Sequence, residues 1–185
     1  DTRERIGHPL KLEGKKQNTM AHDTLLRAAE ANPKSAPVQF LLGRASAALK
    51  KDDEAIACFR RGFELAPKEA SLDDYVQLSA LLGAKNDHPA AIQVLRDALK
   101  QFPFARGLHL KLGFALDRAD DPVSAYYEFH HEWLLHGPDS PLFKEAQQAT
   151  ALEAEGVLKK RKSMNFPPVF NFMSGIAFTK EGKYQ

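Results

Sequence analysis

The 185-residue sequence predicts an all-α fold built from repeated pairs of antiparallel helices, and three observations predict it. Apolar residues recur at three- and four-residue steps almost everywhere between Met20 and Leu152, while strand-like alternation is nearly absent. A small residue followed four later by Leu or Phe returns as Ala21 with Leu25, Ala55 with Phe59, Ala91 with Leu95 and Ala125 with Phe129, at offsets of 34, 36 and 34 residues. A helix stop lies 12 residues beyond each of these alanines: Pro33, Pro67, Pro103 and the Gly137-Pro138 pair. Proline ends a helix because it has no N–H to donate and clashes with the preceding turn.

These signals place the elements in order. Residues 1–17 lack the pattern and read as an irregular segment, and residues 18–33 read as a second helix without a first, a half repeat. Three two-helix units follow at 36–69, 72–105 and 106–139. The first helix of each carries a small residue, Gly43, Ser79 or Gly113, opposite the alanine of the second. Two small residues let the backbones approach, and the Phe or Leu one turn later fills the gap toward the next pair. Polar turns, "KKDDEA", "KNDHPAA" and "RADDPVSA", join the helices. Asp or Asn ahead of Ala or Pro supplies N-cap chemistry, and Pro122 suits a first helical turn. Residues 141–154 read as one more helix without a clear partner, which completes an array over 18–155. Residues 156–167, polar and basic, read as a linker, and 168–185 as the first helix of a further, truncated repeat with the start of its turn.

The spacing resembles the tetratricopeptide repeat, a 34-residue helix hairpin with small residues at its positions 8, 20 and 27 and a proline at 32. In that register Gly43, Ala55, Phe59, Gly62 and Pro67 all fall in place, and in the last segment Gly175 takes position 8 and Gly182 position 15. Position 4, often Trp, holds Gln39, Tyr75 and His109. Position 27 of the third unit holds Glu132, which implies looser packing there or an acid reaching solvent. The resemblance implies a right-handed superhelical solenoid whose concave face is lined by the first helices and binds other proteins. The positions implied to face the groove are Pro37, Phe40, Arg44, Ala47 and Ala48, then Asp73, Val76, Ala80, Gly83 and Ala84, then Gly107, Leu110, Phe114, Asp117 and Arg118. Chaperone-binding members clamp a C-terminal carboxylate with Lys and Asn at positions 5 and 9. Here those places hold Phe40, Arg44, Val76, Ala80, Leu110 and Phe114, an apolar strip flanked by Arg44 and Arg118 that suits an amphipathic helix or an extended peptide. Packing of the strip against the chain's own segments is the alternative.

Composition narrows the function classes. Hydrophobic residues at 43% and charged residues at 27% give a folding, soluble balance, and the net charge of +2 offers no general electrostatic reason to bind nucleic acid. No stretch approaches the roughly 20 apolar residues of a membrane span. The N-terminus lacks the apolar core of a signal peptide, although a signal could have been removed, so the compartment stays open between cytoplasmic and periplasmic or secreted. Cys58, the single cysteine, reads as a small buried hydrophobe.

The chemistry-bearing stretch is "EFHHEWLLHG", Glu128 to Gly137, one residue short of a zinc-protease motif. His131 and His136 are five apart, about 140° around a helix, so they do not share a face as metal ligands at four apart do. Asp52-Asp53 and Asp120-Asp121 open helices, which explains them as caps. No phosphate-cradling glycine loop, nucleophile elbow or CxxC pair occurs, and nothing calls for a cofactor, a metal or catalysis. The expected function is a non-catalytic scaffold for a partner protein or peptide. An assembly segment of a larger polypeptide, self-associating through the open C-terminal half repeat, is the alternative, and a metal-dependent hydrolase is the remote one.

Overall fold

The computed structural model of the chain describes residues 3–135 and 141–161. Those residues form helices α1 (Arg3–Ala31), α2 (Ala36–Ala48), α3 (Asp52–Leu65), α4 (Leu72–Ala84), α5 (His88–Gln101), α6 (Leu108–Arg118), α7 (Pro122–Leu135) and α8 (Pro141–Arg161), with a 3-10 turn at Pro67–Glu69. No strand occurs among them. They gather into two compact units that divide between Asp87 and His88.

The helix ends follow one rule. After α2, α4 and α6, the residues Lys50, Asn86 and Asp120 stand in the left-handed region with φ of 62°, 61° and 59°. Each time the next N–H bonds a carbonyl five residues back, as Lys51 to Ser46, Asp87 to Leu82 and Asp121 to Leu116, and the left-handed residue bonds three back. This double closure satisfies the orphan carbonyls of the helix end and turns the chain within two residues. The caps that follow match the expected ones only in part. Lys51, not an aspartate, is the N-cap of α3, so Asp52 and Asp53 sit in the first turn, where they complement the helix dipole. Asp121 does cap α7, accepting the Ser124 N–H at 3.1 Å. Its neighbour Asp120 is the left-handed residue.

In the first unit α2 and α3 pack as a hairpin through two reciprocal insertions. The Phe59 ring lies over Gly43, where an added Cβ would meet it at 3.1 Å, and the Phe40 ring lies over Gly62, where the distance would be 2.6 Å. Phe40 packs edge-on against Phe63, which tilts onto Tyr75 of α4, so the apolar chain continues from α2 to α4. Helix α1 packs on α2. His22 of α1, buried, bonds Glu54 of α3 at 2.6 Å, and Ser46 of α2 donates to the same Glu54 oxygen at 3.2 Å. Residues 3–17 thus extend a helix where an irregular segment was expected, although they include Pro9.

In the second unit α6 and α7 form the equivalent hairpin, with the Phe129 ring over Gly113, and α5 packs on α6. Helix α8 has a partner: it packs on α7, burying Ala146, Ala149 and Thr150. It continues to Arg161, so the first residues of the expected linker are helical. The remainder of that linker and the expected half repeat at 168–185 lie outside the described residues.

Candidate functional site

The side chains expected to meet a partner divide into a buried and an exposed set. Phe40 is only 2% exposed and Leu110 only 5%, so both are core residues and not anchors for a ligand. The cause for Phe40 is Gly62: without a Cβ there, the ring drops into the hairpin, and the hydrophobic effect holds it there. Gly107 is buried too and serves as the N-cap of α6 with φ of 77°, a backbone role. Phe114 is half-buried with its ring 5.0 Å from that of Phe129, while Asp117 and Arg118 at the end of α6 are exposed.

Arg44 is engaged within the chain. Its Nε donates to Asp74 Oδ1 at 2.8 Å and its Nη2 to Oδ2 at 3.3 Å, a forked pair joining α2 to α4. Asp74 is fully buried and also accepts from the backbone N–H and hydroxyl of Ser71, whose Oγ accepts the Asp74 N–H in return. Ser71 and Asp74 form a capping box, a pattern legible as Ser-x-x-Asp ahead of an apolar run. The long-range partner Arg44 has no sequence signal. What remains open on this α2–α4 face is of low relief: Ala48, Ala80 and Ala84 are exposed, Ala47 and Val76 half-buried, and nothing lies within 4 Å of where a Gly83 Cβ would be.

Glu132 overturns the expectation of loose packing or solvent contact. It is fully buried, and its carboxylate accepts the N–H of Gly107 at 2.7 Å and of Leu110 at 3.2 Å. These are first-turn donors of α6, whose N-cap glycine has no side chain to serve them. An acid on α7 therefore caps α6 from across the hairpin.

The histidines scatter over different partners. His109 of α6 bonds Glu128 at 2.7 Å, and its ring meets the exposed His131 at 4.1 Å between centroids. His130 turns the other way, stacked parallel on Tyr126 at 5.9 Å and edge-on to Trp133. Burial, followed by the charge of His131, pushes its pKa below the usual imidazole range. Among the described residues no group of three or more His, Cys, Asp or Glu is placed to hold a metal ion. His136 lies outside those residues. Cys58 is buried, and burial followed by the charge of Glu54 raises its thiol pKa, which leaves it a packing residue.

The tetratricopeptide repeat family model matches residues 36–69. No curated protein matches the sequence. Among solved structures, MamA superposes over 94% of this chain and 96% of its own with a TM-score of 0.69 at 19% identity. YrrB, described as a TPR protein with an unusual peptide-binding site, covers 72% of this chain and 68% of its own at 0.62 and 17% identity. The first TPR of Spaghetti (RPAP3), bound to the HSP90 peptide SRMEEVD, covers 66% and 93% at 0.56 and 15% identity. At these identities the likeness shows the fold. No helix among the described residues is long and apolar enough to cross a membrane.

Proposed function

We propose that this chain, which belongs to the tetratricopeptide repeat family, is a non-catalytic interaction module that holds a segment of a partner protein on the first-helix face formed by α2 and α4. One observation carries the reading. That face exposes Ala48, Ala80 and Ala84 and leaves open space beside Gly83, although Phe40 and Leu78 on the same helices are buried in the core. Small side chains let another backbone approach closely, and the forked Arg44–Asp74 pair holds the two helices at a fixed spacing beneath it. Peptide binding by YrrB and by the RPAP3 repeats supports the class of ligand. The chemistry of the ligand differs from a carboxylate terminus, because Phe40 is buried, Arg44 is occupied by Asp74, and Val76 and Ala80 carry no donor. An apolar face of a partner helix fits better.

The test is selection of displayed peptides against the immobilised chain, repeated with Ala80→Glu. Ala80 is exposed in a helix, so the change costs little stability. Peptides enriched on the native chain should lose binding to the variant while its circular dichroism stays helical. Equal enrichment on both chains would refute the α2–α4 assignment.

A further inference from the structure

Helix α7 uses two flanks. Phe129 and Glu132 face α6, the ring over Gly113 and the carboxylate on the Gly107 and Leu110 amides. Tyr126, His130 and Trp133, at steps of four and three residues, form the flank beside it. Helix α8 also packs on α7 and buries Ala146, Ala149 and Thr150 in doing so. Among the described residues two side-chain polar atoms are buried without a hydrogen-bond partner, Tyr126 Oη and His130 Nδ1, and both belong to this flank. Tyr126 is 2% exposed, and the His130 ring lies parallel to its ring, 9° off, at 5.9 Å. Trp133 stands edge-on to His130 at 5.4 Å. Protein interiors pair their buried polar atoms as a rule, so two orphans one helical turn apart call for a physical reason.

We propose that His130 is a proton-operated latch: neutral, it lets α8 lie closed on α7, and on taking up a proton it releases α8. A neutral imidazole leaves Nδ1 unbonded at modest cost. An imidazolium donates from both nitrogens, so Nδ1 becomes a charged donor, buried with nothing to receive it. The neighbouring groups give no relief. On α8, Ala146 and Ala149 have no acceptor side chain, and the Thr150 hydroxyl is bonded to the Ala146 carbonyl at 2.7 Å. Glu153 stands half-buried one turn beyond Thr150, and Lys144 and Glu145 are exposed. On α6, His109 holds Glu128 at 2.7 Å, and Lys111, Asp117 and Arg118 are exposed. On α7 itself Glu132 serves the α6 amides, and His131 brings a like charge in acid. Burial first, and the His131 charge second, push the His130 pKa below its ordinary 6.5. The closed form therefore takes the proton less readily than the open one. Closure is complete above about pH 6.5 and fades as the pH falls below it, until the closed form is protonated too. The latch lies between α7 and α8 and does not depend on the reading of the α2–α4 face.

Trp133 is the chain's single tryptophan and touches the titrating ring, so its fluorescence reports on His130, because an imidazolium in contact quenches indole emission. Emission and amide hydrogen exchange of the full 185-residue chain are followed from about pH 8 down to about pH 5, above the range in which Glu54 titrates. Emission should fall with pH. Protection of the α8 amides over 146–153, corrected for the intrinsic pH dependence of exchange, should fall with it, by at most about tenfold per pH unit, the limit for one proton. Protection of α2 in the other unit should stay constant over the same range. His130→Phe keeps a ring beside Tyr126 without a titrating nitrogen and should hold both signals level. His131→Asn removes the neighbouring charge and should move the quenching to higher pH. Unchanged α8 protection down to pH 5, a loss of protection that persists in His130→Phe, or quenching without any loss of α8 protection would each overturn the proposal.

Discussion

Replacing Glu132 with alanine sets two arguments against each other. The repeat pattern holds a small residue at this place, Gly62 and Ala98 in the other two units, and so favours Glu132→Ala. The structure argues the reverse. The carboxylate takes the N–H groups of Gly107 and Leu110, both on buried residues. A buried donor left unmade costs about 1–3 kcal/mol, so two cost about 2–6 kcal/mol. Removing a carboxylate from a dry site returns part of that, because its desolvation is relieved. The expected net loss is about 3 kcal/mol, or about 6–12 °C in Tm for a chain of this size. Urea unfolding followed by circular dichroism measures the loss. Amide hydrogen exchange locates it in the first turn of α6, which matters because repeat arrays unfold in parts. Glu132→Gln keeps an acceptor oxygen and should lose roughly half as much. If Glu132→Ala matches or exceeds the native stability, the capping argument is wrong and the small-residue rule governs.

Lys50→Gly and Asp120→Gly relieve a side chain held at positive φ and should each stabilise by about 0.5–1 kcal/mol, read as raised urea midpoints at constant m-value. For Glu54, burial pushes the pKa up, but the His22 hydrogen bond and charge and the Lys51 contact outweigh it, so the net shift is downward from 4.5. A lowered carboxylate pKa contributes stability that is present above the unfolded pKa and fades as pH falls through the folded one. Thermal unfolding of the native chain should therefore weaken below about pH 4.5, and Glu54→Gln should flatten that dependence.

The hairpins were legible because backbone proximity demands small residues at fixed spacing, and a glycine facing a phenylalanine leaves that mark in the sequence. Gly43 with Phe59 and Gly113 with Phe129 show it. The partner surface was less legible. Position in the repeat says which way a residue points on average, but Gly62 draws Phe40 inward, and only the facing helix reveals that. Arg44 with Asp74, at a separation of 30 residues, and Glu132 with Gly107, at 25, are long-range polar pairs of the same kind. A charged residue at a groove position or a small-residue position looks free until its buried partner is placed beside it. The helix over 3–17 leaves little mark in the sequence, because Gly7, Pro9 and Gly14 are helix-weakening residues.

Each described hairpin is pinned at two points, and the pins are made of different stuff. Between α2 and α3 both are aromatic rings seated in glycine hollows, Phe59 at Gly43 and Phe40 at Gly62. Between α6 and α7 one ring remains, Phe129 at Gly113, and at the site matching Gly62 a carboxylate grips two amides instead. Dispersion is indifferent to direction and forgives a change of shape, so the first hairpin has latitude to drift among apolar side chains of similar volume. Hydrogen bonds demand an angle as well as a distance, and the second hairpin has no such latitude at Glu132. Two copies of one architecture thus answer to unlike rules of substitution: one is governed by bulk, the other by aim.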